Sequence, residues 1–187
     1  MRCCRARIRL ARAEIQSATD DAERGLELAR AARDLQALTP ALGIAAFTRL
    51  ANGDKDGAAH LLTEVLELPG ASAHFGSEWL TDLPWVALAL GRSAEFIAAA
   101  EQSPPYPWRE AVVAVAARDF EHAASVYERI GARADEAIAR LRAAETLATA
   151  GRRAEADAQL RPALAYFREI EATHYLKEAK SLLTQTA

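Results

Sequence analysis

The chain has 187 residues, of which 51% are apolar and 26% charged, and its formal net charge is −3 at pH 7. This length suits one globular domain, and the interspersed acidic and basic residues argue against nucleic-acid binding. No apolar run approaches the roughly 18 residues of a membrane span, so we expect a soluble protein. Alanine occurs 45 times, whereas valine and isoleucine together occur 13 times. Because alanine favours helices and β-branched residues favour strands, the composition predicts an all-α fold.

The N-terminal segment is rich in arginine, but its apolar residues follow a helical period. They recur at spacings of three and four, at Cys4, Ile8, Ala11 and Ile15. This pattern is typical of a helix packed on neighbours rather than of a targeting segment. Met1 therefore falls almost at the start of a helix that already looks like one from the middle of an array. The only two cysteines, Cys3 and Cys4, have no second pair at zinc-ligand spacing. We therefore expect neither a metal site nor a disulfide framework, and a cytoplasmic location.

Helical segments alternate with short breaks along the whole chain. Apolar periodicity and helix-boundary residues predict helices over 3–17, 21–37, 40–52, 55–68, 107–118, 120–131, 134–150, 153–170 and 174–185. Thr39 followed by Pro40 suits a helix start, since the hydroxyl can cap and proline is tolerated in the first turn. The middle, about 70–104, is irregular: Pro84 interrupts the helix expected near 78–91, and a helix near 93–102 precedes a proline-rich connector.

Small residues recur once per helix pair. In the second helix of each predicted pair they are Gly25, Ala58, Ala94, Ala123 and Ala156, at intervals of 33, 36, 29 and 33 residues. The first helices carry matching small residues at Ala13, Ala46, Ala111 and Ala144. A two-helix period near 34 is the signature of tetratricopeptide-type arrays, in which small residues let paired helices approach closely. We predict one domain over 1–187, a right-handed superhelix of about five helix pairs plus a closing helix; the alternative is a compact bundle without repeats.

No catalytic pattern stands out. The sequence contains no nucleophile elbow or metal motif, and its four histidines are scattered. Paired carboxylates such as Asp20 and Asp21, or Asp54 and Asp56, occur at predicted helix starts, where they complement the helix dipole. We therefore expect no enzyme activity, no cofactor and no catalytic or metal-binding residues.

Binding is the expected role of such an array. If the first helix of each pair lines a concave groove, the side chains offered to a protein or peptide partner are Phe47, Leu50, Trp79, Trp108, Val112 and Val115. Both tryptophans could instead fill core space around the proline-rich connectors. A rival function is a small-ligand effector sensor, with an apolar pocket near Trp79 and Trp108.

The C-terminal third resembles a known family. The segments that carry the resemblance are 127–137, 150–156, 166–167 and 172–179, including Tyr127-Glu128-Arg129-Ile130-Gly131 and His174-Tyr175-Leu176-Lys177-Glu178-Ala179. They resemble the C-terminal tetratricopeptide-like arm of bacterial signalling ATPases of the AAA or STAND type, many of which are linked to an adenylate/guanylate cyclase domain or to a LuxR-type DNA-binding domain. The match is strongest over 120–185, moderate over 1–68 and weak between.

The resemblance implies the arm of that family alone. The sequence has no G-x-x-x-x-G-K-[ST] phosphate-binding loop, no cyclase domain and no helix-turn-helix after Leu183, which fits the cyclase-linked branch better than the LuxR-linked one. The resemblance therefore implies a bacterial interaction or regulatory element. Its expected partner is a protein or peptide in the groove, or N-terminal ATPase or cyclase domains missing from this sequence.

Overall fold

The computed structural model describes residues 2–69 and 80–185, and all regular structure in these ranges is helical. The helices are α1 (Arg2–Ala11), α2 (Ile15–Ala32), α3 (Leu35–Ala51), α4 (Lys55–Glu67), α5 (Leu83–Ala89), α6 (Ser93–Ala100), α7 (Pro107–Ala116), α8 (Phe120–Ile130), α9 (Arg133–Thr149), α10 (Arg153–Glu169) and α11 (Thr173–Gln185). The all-α prediction is confirmed. None of these helices is both long enough and apolar enough to cross a membrane.

Most of the connections are tight turns of one kind. Eight contain a residue in the left-handed conformation: Ala13, Arg33, Gly53, Gly91, Arg118, Gly131, Gly151 and Glu171. This residue ends one helix, and the next begins within a few positions. After three of these turns an aspartate caps the following helix, since Asp34, Asp54 and Asp119 accept hydrogen bonds from the backbone N–H groups of Gln36, Gly57 and His122. Turns this short make neighbouring helices run antiparallel.

Three predicted boundary features are wrong. The chain breaks at Arg33 and Asp34 rather than at Thr39, and Pro40 lies inside α3. Pro40 occupies the second turn, where it removes a single backbone hydrogen bond that the packed helix tolerates. Pro84 does not interrupt a helix but lies in the first turn of α5. Proline is tolerated there because a backbone N–H in the first turn has no acceptor within the helix. Ala13 lies in the turn between α1 and α2, not in a helix.

Helix packing follows the order of the chain. Consecutive helices pack together, and α1 with α3, α3 with α5, α5 with α7 and α9 with α11 are also in contact. Ion pairs also join helices two apart in the chain: Arg30 of α2 to Glu64 of α4 at 2.6 Å, 34 residues apart, and Arg142 of α9 to Glu178 of α11 at 2.9 Å, 36 residues apart. The chain is therefore repeat-like in structure as well as in sequence. In addition, α1 contacts α11, which brings the two ends of the described chain together.

The small residues at the helix contacts are placed as predicted at most positions. Ala58 and Ala123 are fully buried, and Ala156 is 5% exposed. Gly25 faces α1, where an added Cβ would lie 3.5 Å from the Cβ of Arg2. Ala94 is the exception, since it is exposed. The third pair, α5 and α6, has helices of only 7 and 8 residues, so the predicted register does not extend through it.

Candidate functional site

A cavity of about 710 Å³ lies among α3, α5, α9 and α11. We call it the main cavity. Its apolar wall consists mainly of Phe47, Leu50, Trp85, Leu88, Phe120 and Ile138. The Trp85 and Phe120 rings stack, with centroids 5.7 Å apart and planes inclined at 19°. A ring pair of this kind is a rigid apolar platform, because aromatic side chains lose little conformational entropy on binding.

The charged side chains of the main cavity come from α9 and from the turn before α8. Arg142 donates to Glu145 at 2.7 Å and to Glu178 at 2.9 Å. The charge of Arg142 is therefore compensated by two carboxylates. Arg118 also lines the cavity, and its guanidinium has no hydrogen bond or ion pair with any residue that the structure describes.

A second cavity of about 290 Å³ lies beneath α1 and shares Phe47, Trp85, Ile138 and Tyr175 with the main cavity. We call it the inner cavity. Arg7 of α1 and Asp82 also line the inner cavity. Because the two cavities share lining residues, they are adjoining parts of one concave surface.

Arg7 ties α1 to the middle and to the C-terminal third of the chain. Its guanidinium lies 3.2 Å from an oxygen of Asp82 and 2.6 Å from one of Asp135. We call this cluster the Arg7 bridge. Both carboxylate side chains are only 10% exposed, whereas the Arg7 side chain is 34% exposed. Burial raises the pKa of Asp82 above its usual value, while the attraction of Asp82 raises the pKa of Arg7. Arg7 therefore stays protonated, and its charge makes two buried carboxylates tolerable.

Two tyrosines belong to the same buried region. Burial raises the pKa of Tyr175 to about 12 and that of Tyr127 well above its usual value, so both phenols stay protonated near neutral pH. The Tyr127 hydroxyl is buried and has no hydrogen-bond partner among the described residues. Around the inner cavity the arrangement thus offers aromatic surface and charges that are already paired, which suits binding of an apolar group.

The structure separates the predicted binding residues into two groups. Phe47 and Leu50 are half-buried and line the main cavity. Val112 and Val115 are fully buried in the core. Their proposed role in a groove is corrected, because a helical apolar stripe does not reveal which of its residues face a neighbouring helix and which face solvent.

The tryptophans are also placed differently from the prediction. Trp108 packs edge-on against Tyr127, with centroids 6.1 Å apart, and does not line either cavity. Trp79 lies outside the described residues. The tryptophan in the cavities is Trp85, which the sequence analysis missed. A helix start at Pro84 was the signal that could have found it, since Trp85 then belongs to the first helix of the third pair.

Among the described residues, no group of three or more His, Cys, Asp or Glu side chains is arranged to hold a metal ion. Comparison with models of known protein families gives no match. Comparison with curated proteins likewise gives no significant match. The resemblance to the arm of signalling ATPases thus remains a prediction from the sequence.

Proposed function

We propose that the chain is a non-catalytic helical-repeat arm whose concave face binds a segment of a partner protein. In this proposal the helices form a tetratricopeptide-like right-handed superhelix, with α1 to α10 as five pairs and α11 as the closing helix. The repeated turn geometry, the ion pairs 34 and 36 residues apart and the contacts between alternate helices support it.

The main cavity is the observation that carries the proposal. Residues of α3, α5, α9 and α11 meet around it together with Phe120 at the start of α8, whereas α7 contributes no lining residue. Its apolar wall provides large aromatic and aliphatic contacts, which are the anchors that protein interfaces use most. An amphipathic helix or an extended peptide could place its apolar side chains there.

The family resemblance suggests what this binding serves. Such an arm would receive its partner and bias an ATPase, either in the same polypeptide or as a separate adaptor. The ATPase or cyclase domains of that system are then candidate partners themselves. We include this regulatory role in the proposal because the segments over 120–185 are the ones that carry the resemblance.

A matched pair of variants tests the proposal. Peptides that bind the chain are selected from a random library, and their affinities are measured by fluorescence polarisation. Leu50→Arg, which puts a charge in the main cavity, should weaken binding at least about tenfold, because it buries an unpaired cation. Leu28→Arg is the control, since Leu28 is 49% exposed and lines neither cavity. Equal affinities for the two variants would show that the main cavity is not the binding surface.

The inner cavity favours a second function, a small-ligand effector sensor. Its volume of about 290 Å³ lies at the lower limit for small-molecule sites. Trp85 lines this cavity, so its fluorescence, rather than that of Trp79 or Trp108, should report ligand binding. A panel of metabolites is screened for changes in tryptophan emission, and hits are repeated with Trp85→Phe and Trp108→Phe. A response lost only in Trp85→Phe supports the sensor; a response that persists there would place the ligand elsewhere.

A further inference from the structure

Arg118 is a positively charged side chain of the main cavity that has no ion-pair partner among the described residues. Among the described residues, three charged side chains line this cavity, and Arg142 and Glu145 are paired with each other. Arg142 also binds Glu178, so this cluster of one guanidinium and two carboxylates has a net negative charge. The Arg118 guanidinium has no such partner within residues 2–69 and 80–185.

The turn that carries Arg118 is fixed although the side chain is exposed. Arg118 is in the left-handed conformation, with φ of 63°, and its backbone N–H donates to the carbonyl oxygen of Val115 at 3.0 Å. The adjacent Asp119 forms no ion pair with Arg118, and its Oδ1 accepts a hydrogen bond from the backbone N–H of His122 as the cap of α8. The cation therefore lies on a hydrogen-bonded turn, and its guanidinium has no partner among the described residues.

Apolar side chains line the same cavity as this cation. Phe120 follows two residues later and stacks on Trp85 in the wall of the cavity. A ligand that satisfies both features needs a large apolar group and, close to it, an anion. A guanidinium binds a carboxylate through charge-assisted hydrogen bonds, which are about twice as strong as neutral ones.

The mouth of the main cavity is wide. Five of its lining residues are exposed: Ala89, Arg118, Thr146, Thr149 and Ala150. A ligand seated there can continue into solvent without a steric barrier. This favours one side-chain cluster of a longer polypeptide over a small molecule enclosed on all sides.

We propose that the main cavity anchors a partner segment in which a large apolar side chain lies next to a carboxylate. The apolar side chain packs on Trp85 and Phe120, and the carboxylate binds Arg118. The inference rests on the proposed function, because it specifies the chemistry of the partner segment bound at that site.

Two dyes test the preference for an anion. 8-Anilinonaphthalene-1-sulfonate carries a sulfonate, and N-phenyl-1-naphthylamine has the same ring system without it. Each dye is titrated against the full chain by fluorescence. The anionic dye should bind about fivefold more tightly, as expected for one charge contact at an exposed site, and the difference should shrink with added salt.

The decisive variants are Arg118→Gly and Arg33→Gly. Both remove one arginine from a left-handed turn residue, and both are expected to fold because glycine suits that conformation. Only Arg118 lines the main cavity. Arg118→Gly should therefore abolish the preference for the anionic dye, whereas Arg33→Gly should keep it. Equal binding of the two dyes to the unmodified chain, or the same loss in both variants, would overturn the inference.

Competition identifies the source of the carboxylate. The blocked peptide Ac-Leu-Trp-Glu-Leu-NH₂ should displace the anionic dye about fivefold more effectively than Ac-Leu-Trp-Gln-Leu-NH₂. Displacement by dodecanoate but by neither peptide would overturn the assignment to a protein segment. Leu50→Arg separates the two proposals. If Leu50→Arg does not change the affinity for either dye, the main cavity is not the site. If Leu50→Arg changes the affinity but the two dyes bind the unmodified chain equally, only the inference about Arg118 is contradicted.

Discussion

Removing the Arg7 guanidinium should destabilise the whole chain. In Arg7→Met the apolar stem of the side chain is largely kept, but Asp82 and Asp135 lose their cation while remaining 10% exposed. Breaking a buried ion pair typically costs about 3–5 kcal/mol. Because the Arg7 side chain is 34% exposed and solvent screens part of the interaction, we expect the lower end, about 3 kcal/mol. For a chain of this size that corresponds to a fall in Tm of about 6–12 °C.

The loss should depend on pH in a defined direction. Burial raises the pKa of Asp82 already in the unmodified chain, and without Arg7 nothing nearby favours its ionised form. A carboxyl group whose pKa is higher in the folded than in the unfolded state stabilises the fold as pH falls through that pKa. The destabilisation by Arg7→Met should therefore be largest at neutral pH and above, and smaller in mildly acidic solution.

Urea unfolding followed by circular dichroism at 222 nm, at two pH values, measures both effects. Arg12→Met is the matched control, since Arg12 follows the end of α1, is exposed, and should change the free energy of unfolding by less than about 0.5 kcal/mol. Arg7→Met combined with Asp82→Asn and Asp135→Asn should recover part of the loss, because no charge is then left buried. If Arg7→Met and Arg12→Met unfold alike, the Arg7 bridge does not hold α1 to the rest of the chain.

Three further predictions concern packing and turns, and each is measured as the free energy of unfolding. Ala156→Leu should cost about 1–3 kcal/mol, because the larger side chain overpacks a buried helix contact. The control Ala158→Leu, at an exposed position of the same helix, should be nearly neutral. Equal effects of the two substitutions would refute the close approach of α9 and α10. Gly131→Ala should cost about 1 kcal/mol from backbone conformation alone, because φ is 76° and an added Cβ meets no atom within 4 Å. Glu171→Gly should raise the free energy of unfolding, because Glu171 is also left-handed, with φ of 55°. A gain in stability from the alanine would show that this turn is not left-handed. Tyr127→Phe should leave stability unchanged or raise it by up to about 1 kcal/mol, since the buried hydroxyl has no partner among the described residues. A loss above that size would reveal a hydrogen bond to this hydroxyl.

Local interactions explain which features could be predicted from the sequence. The abundance of alanine and the 3.6-residue apolar period predict helices, because both act within a single turn of the chain. The spacing of small residues near 34 likewise located Ala58, Ala123 and Ala156 at buried contacts. Phe47 and Leu50, two of the residues predicted for a groove, line the main cavity, whereas Val112 and Val115, named by the same rule, are buried in the core.

Some errors arose where two local signals compete. Thr39 before Pro40 resembles a helix start, but the aspartate cap at Asp34 and burial of the α3 surface favour a helix that runs through the proline. Conversely, Pro84 suggested an interruption although it begins α5, and this concealed Trp85. The strength of each signal depends on the packing around it, which is not encoded in the neighbouring residues alone.

The sequence by itself therefore determined the helical class, the approximate positions of most helices and two residues of the cavity wall. Only the tertiary structure decided that Val112 and Val115 are core residues, that Trp85 stacks on Phe120, and that Arg7 meets Asp135, 128 residues later. The physical reason is that periodicity fixes which side chains share a helix face, whereas the angles between successive helices fix what each face meets. Small differences in those angles accumulate along the array, so contacts between its ends appear only once all the helices are in place.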